Sequence, residues 1–123
     1  MTIRPGEVDI VLTHKGEDGQ LHEETVTLRP SLNAMRVLSK RYDGFQPLIG
    51  ALSRLDFDAF LTVIAVGAGI ESKGIKVLEG KIFATGLINL LGDVSKFVVI
   101  VSNGGKLPDD EENTRNESFD PNG

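Results

Sequence analysis

The clearest pattern in the chain is the helical spacing of Thr85–Asn103, where Leu87, Leu90, Leu91, Val94, Phe97, Val98 and Val101 recur at steps of one or three. That spacing lays seven apolar side chains along one stripe of a helix. Asn89, Asp93, Lys96 and Asn103 fall on the opposite face, and Ile100 falls with them. This is the most apolar long segment of the protein, so the other elements are expected to pack against it. Its second half, Phe97-Val98-Val99-Ile100-Val101, is β-branched and apolar all round. Periodicity alone therefore leaves helix and buried strand both open for residues 97–101.

Upstream, Glu7–Lys15 alternates, with Val8, Ile10 and Leu12 on one side and Asp9, Val11 and Thr13 on the other. Gly16-Glu17-Asp18-Gly19 supplies turn residues, and Leu21–Leu28 resumes a strand-like pattern. Together they predict a β-hairpin over residues 7–28 with a loop of about four or five residues. Arg29-Pro30 stops the strand. Ser31 is a suitable N-cap for a helix running to about Tyr42, with Leu32, Met35, Leu38 and Tyr42 on its buried face and Gly44 as its C-terminal cap. Phe45 and Pro47 reopen the chain into a short helix ending near Leu55. Asp56 is the next N-cap, with Leu55 and Phe60 spaced as a hydrophobic staple, and Gly67 and Gly69 are expected to end that helix. A further helix over residues 75–84 presents Val77, Leu78, Ile82 and Phe83 as its apolar set. The expected fold class is α+β, mainly α: an N-terminal hairpin, about five helices, and a disordered acidic C-terminal tail from Gly104 to Gly123. Residues 1–103 form the single compact domain of this reading, its helical body spanning 31–103.

Charge sharpens that division. The net charge of the 123 residues is −5; six acidic residues against two basic ones from Gly104 onward put −4 of it in the tail and leave the body near −1. Neither part offers the basic stripe that nucleic acid binding needs, and one tyrosine with no tryptophan leaves few stacking platforms. The absence of cysteine excludes disulfides and thiolate metal sites. The start, MTIRPGEVDI, has neither the charged beginning nor the apolar core of a secretory signal. The long apolar helix is broken by Asn89, Gly92, Asp93, Ser95 and Lys96, so no membrane partner is expected.

Candidate chemistry is sparse. His14 and His22 flank the hairpin loop among Glu17, Asp18, Glu23 and Glu24, yet loop histidines among acids are ordinarily solvated and the spacing matches no defined metal site. Gly67-Ala68-Gly69 lacks the third glycine of a dinucleotide loop and follows a helical pattern instead of a strand. No serine, histidine and acid fall in a nucleophile motif. These readings predict a non-enzymatic protein with no cofactor and no metal.

The order of landmarks does point somewhere. A leucine-ending strand meets Arg29-Pro30-Ser31, and a helix runs into Tyr42-Asp43-Gly44-Phe45. A middle helix ends in Val66-Gly67-Ala68-Gly69. Thr85-Gly86-Leu87 then opens a last apolar helix closing on Asn103-Gly104-Gly105-Lys106-Leu107-Pro108. Over residues 28–108 this resembles the small tail assembly chaperones of long-tailed bacteriophages, including their relatives in gene transfer agents. The resemblance implies a non-catalytic protein of the bacterial host's cytoplasm. Such a protein binds the tape measure protein during assembly, helps recruit the major tail tube protein, and is absent from the finished virion. It also implies a longer, frameshift-extended form of the same chain as a partner, for which the codons of Gly104-Gly105-Lys106 are the expected slippery site. A role of this kind needs exposed apolar surface for self-association or client binding. The residues expected to provide it are Tyr42 and Phe45 at the first helix end, Val99 and Ile100 on the last helix, and Leu107 in the tail. A virion structural component, such as a connector or minor tail protein, and a small cytoplasmic adaptor or regulator are the alternatives.

Overall fold

The expected alternation of the first strand is what seats the N-terminal hairpin. In the computed structural model, which describes residues 6–106, strands β1 (Val8–Lys15) and β2 (Leu21–Leu28) pair antiparallel with Val8 opposite Leu28 and His14 opposite His22. Val8, Ile10, Leu12 and Leu28 are buried, while Val11 on the opposite face stays exposed. Among the described residues, five helices follow: α1 (Leu32–Tyr42), α2 (Phe45–Ser53), α3 (Phe57–Ala68), α4 (Ile75–Thr85) and α5 (Leu87–Ser102). A 3-10 turn over Ser72–Gly74 leads into α4. The fold is thus α+β and mainly α, and residues 97–101 are helix.

The caps written in the sequence form where the side chains allow them. Ser31 Oγ accepts from the Ala34 N–H at 2.9 Å, and Asp56 Oδ1 accepts from the Ala59 N–H at 3.4 Å. Each satisfies one of the orphan amides at a helix start. The end of α1 differs from expectation. Asp43, not Gly44, takes the left-handed cap conformation (φ 59°), and the Gly44 N–H reaches back to the Ser39 carbonyl at 2.8 Å. Gly44 instead serves as the residue before α2. The buried face of α1 also rotates. Ala34 and Leu38 are buried, Met35 and Tyr42 are half-buried, and Leu32 is 64% exposed. At about 100° per residue Leu32 lies some 160° round the helix from Ala34, too far to share its contact.

Helix α5 touches β1 and all four other helices, and that wide embrace changes which of its residues are core. Leu90, Val94, Phe97, Val98 and Val101 are buried as expected. Ile100, expected on the polar face, is only 1% exposed. A helix enclosed by five elements buries an arc wider than one apolar stripe, and Ile100 forms the edge of that arc. The chain is held beyond the helix as well. The Gly105 N–H donates to the Ile100 carbonyl at 2.8 Å, and Asn103 Nδ2 donates to the Lys106 carbonyl at 3.0 Å. Gly104–Lys106, expected to open the tail, therefore form an ordered turn. The remainder of that tail, including Leu107 and the acidic run, lies outside the described residues.

One glycine decides how the layers meet. Gly67, expected to end α3, sits inside it, and Gly69 in the left-handed conformation supplies the cap. A Cβ on Gly67 would stand 2.9 Å from Phe97 Cε2 and 3.1 Å from Leu28 Cβ. The Gly67 carbonyl also accepts the Arg29 N–H at 2.9 Å. Its bare backbone thus lets α5, α3 and the end of β2 converge, since interiors leave no room for an added methyl. Gly67→Ala is expected to destabilise the protein by about 1–3 kcal/mol through overpacking. Gly80→Ala on α4, where a Cβ meets nothing within 4 Å, is expected to stabilise by roughly 0.5–1 kcal/mol. Thermal or urea unfolding of the two variants checks both signs.

Candidate client-binding surface

The large apolar residues that escape this core are spread over the surface, at Val11, Leu21, Leu32, Val37, Val77, Phe83 and Ile88, and two of them flank the corner where α4 meets α5. The helical segments Ser72–Thr85 and Leu87–Ser102 diverge by 115° across Gly86, whose φ of 92° favours a residue without a Cβ. The corner is pinned to the hairpin from inside. Thr85 Oγ1 accepts the backbone N–H of Thr13 at 2.7 Å and donates to the Lys81 carbonyl at the same distance. Asn89 Nδ2 caps the end of α4 by donating to the Thr85 carbonyl at 2.8 Å, and Lys81 pairs with Glu24 of β2. With its inner side fixed, the corner turns Phe83 and Ile88 outward, at 83% and 68% exposure. Gly80 and Ala84 beside Phe83 are also exposed, and Leu87 is half-buried.

A single exposed apolar side chain is ordinary on any protein surface. Phe83 and Ile88 stand on either side of a hydrogen-bonded corner, with the small residues Gly80 and Ala84 beside Phe83, and this is the candidate surface for apolar contact. Burying a phenylalanine or isoleucine side chain gives about 1.5–3 kcal/mol, so a partner covering both gains a useful share of a specific interaction. Leu12, Val26, Ile70, Val77 and Leu78 line a second apolar hollow between hairpin and α4, with Glu24 and Lys81 at its rim. No single helix among the described residues is long and apolar enough to cross a membrane.

The residues expected to bind a partner are scattered by comparison. Tyr42 and Phe45 flank the left-handed link between α1 and α2, and both lean on the core while half-buried. Arg41 holds its guanidinium 6.0 Å from the centre of the Tyr42 ring. Val99 is half-buried, and Ile100 is withdrawn from any surface role by its burial. Leu107 lies outside the described residues. The sequence held a clue to what was missed: Ile88 stands outside the seven-residue stripe of α5. Likewise Val77, Leu78, Ile82 and Phe83 span too wide an arc for a helix that meets its neighbours mainly along one seam. Leu78 and Ile82 take that seam, leaving Val77 and Phe83 on its two shoulders.

The hairpin loop gathers the two histidines. Their rings stack with centroids 5.7 Å apart, and each faces a different acid: His22 Nε2 lies 3.2 Å from Asp18 and His14 Nε2 lies 3.9 Å from Glu24. Among the described residues no three of histidine, aspartate and glutamate are placed to hold a metal ion. The Asp18 carboxyl also accepts the Gln20 N–H at 3.0 Å, which closes the turn. That amide first, and then His22, hold the Asp18 carboxyl below its ordinary pKa. Comparisons with protein-family models, with curated proteins and with solved structures find no match.

Because the folded pKa of Asp18 is lowered, its support of the turn is fully present above the ordinary aspartate range. It is lost as pH falls through the lowered value. An NMR titration of the Gln20 amide is expected to give a midpoint below that of a free aspartate, and Asp18→Asn is expected to abolish the transition. A midpoint at the free value contradicts this account of the loop.

Proposed function

We propose that this chain is a non-catalytic tail assembly chaperone of a long-tailed bacteriophage, acting in the cytoplasm of the bacterial host. In this reading it binds the tape measure protein while the tail is built and helps to bring tail tube subunits to it. A frameshift-extended form of the same chain works beside it. The order of landmarks over residues 28–108 supports the class. The observation that carries the binding role is the outward-facing pair Phe83 and Ile88 on a corner locked to the hairpin. An elongated, helical and sparingly soluble client needs apolar cover from its chaperone, and this corner offers such cover without unfolding the domain. Gly80 and Ala84 allow a client helix to lie close to α4.

Co-expression with the tape measure protein of the same phage, followed by affinity capture and size exclusion, tests the proposal. The wild-type chain is expected to yield a soluble stoichiometric complex with a client that is insoluble alone. Phe83→Ser with Ile88→Ser is expected to lose the complex while each substitution shifts stability by only about 0.5 kcal/mol, since both positions are exposed. A double variant that still holds the client, or a wild-type chain that forms no complex, contradicts the proposal.

A further inference from the structure

The hairpin carries a second surface whose partner can be derived from its hydrogen bonding. In an antiparallel pair, residues alternate between those that bond across the ladder and those whose N–H and C=O point away from it. The Gly16 N–H donates to the Gln20 carbonyl at 2.8 Å, which makes that pair a bonded one. By alternation along the register, His14–His22, Leu12–Glu24, Ile10–Val26 and Val8–Leu28 bond across the ladder. The odd-numbered residues point outward. On β1 this is visible directly, because the Thr13 N–H leaves the sheet to reach Thr85 Oγ1. On β2 the outward groups belong to Leu21, Glu23, Thr25 and Thr27, and beyond them the Arg29 N–H is taken by the Gly67 carbonyl. Among the described residues, the backbone groups of Glu23, Thr25 and Thr27 on that edge have no hydrogen-bond partner, and Glu23 and Thr25 are exposed.

We propose that the free edge of β2 is the interface at which two copies of this chain join, antiparallel and centred on Thr25. The two hairpins become one four-stranded sheet in the order β1, β2, β2 of the second copy, β1 of the second copy. The strand is compatible with itself, and its charges choose the register. Centred on Thr25, each Glu23 stands opposite Thr27 of the other copy and each Glu24 opposite Val26, so no carboxylate meets another. Sliding the strands by two positions toward the loop sets Glu24 against Glu24, a like-charge pair that disfavours that register. Sliding them the other way needs the Arg29 N–H, which is already bonded to α3. Of these three registers the one centred on Thr25 keeps the carboxylates apart, and in it every outward N–H of Glu23, Thr25 and Thr27 finds a carbonyl. Pairing also relieves a structural debt. A lone two-stranded sheet is marginal, and an eight-residue edge without proline or bulge is a ready template for another strand.

Thr25→Pro tests the proposal. It deletes an N–H that points away from β1, so it costs no ladder bond, and proline is tolerated on edge strands. Sedimentation is expected to show the wild-type chain as a concentration-dependent dimer, and Thr25→Pro as a monomer with unchanged circular dichroism. Amide hydrogen exchange on the wild-type chain gives an answer even if the variant misfolds. The amides of Glu23, Thr25 and Thr27 are expected to slow between low micromolar and millimolar protein, while those of His22, Glu24 and Val26 are protected at both. Exchange at the three outward amides that does not change with concentration, or that slows only when tape measure protein is added, overturns the proposal. So does a variant that sediments as the wild type does.

Discussion

Three elements meet at the bare backbone of Gly67. The ring of Phe97 lies within 2.9 Å of where a Cβ would stand, Leu28 closes from the hairpin side, and the Gly67 carbonyl takes the Arg29 amide. The approach is possible only because one residue of α3 has no side chain. Once it is made, α5 is held centrally, with β1, α1, α2, α3 and α4 around it. The depth of α5 in turn explains the burial of Ile100 and the ordered turn that continues to Lys106. The hairpin, too small to be stable alone, gains its stability from the same junction through Leu28 and Arg29 and from Thr85 at the other end of β1.

That arrangement also determines what is left outside. With Leu78 and Ile82 committed to the seam against the hairpin, the 115° turn at Gly86 leaves Phe83 and Ile88 no inner surface to occupy. Their exposure follows from the packing and is not a local accident of one side chain. On the hairpin, the Thr13 amide on the outer edge of β1 is taken by Thr85, and on the edge of β2 the outward groups of Glu23, Thr25 and Thr27 have no hydrogen-bond partner among the described residues. The two surfaces differ in kind. The corner exposes apolar area, proposed to meet a client, and the edge exposes backbone hydrogen-bonding groups, proposed to meet a strand. A chain that assembles with itself and also covers another protein can use one for each purpose without competition.

Local chemistry was readable in the chain, and tertiary choice was not. The alternation of Val8, Ile10 and Leu12, the caps at Ser31 and Asp56 and the long period of α5 each depend on neighbours within a few positions, and each formed as expected. Leu32 and Gly67 depart from the pattern because their roles depend on which neighbour lies across the gap. The same limit governed the candidate site. Periodicity could group Phe83 with Leu78 and Ile82 as apolar, yet nothing local said which of them the hairpin would cover. Ile100, grouped by spacing with Asn89 and Asp93, became core because α5 is enclosed on more sides than a surface helix. Of the five residues expected at a binding surface, Tyr42, Phe45 and Val99 keep partial exposure, Ile100 is buried, and none belongs to the corner at Gly86.

One division of labour within a single helix underlies the proposed client binding: Ile88 faces outward, and Ile100 belongs to the core. Methyl labelling of isoleucine and titration with a soluble segment of the tape measure protein read both residues at once. The account predicts that the Ile88 methyl signal moves or broadens with saturation while those of Ile100 and Ile64 stay in place. Saturable binding that leaves Ile88 unmoved and shifts the isoleucines remote from the corner would contradict it.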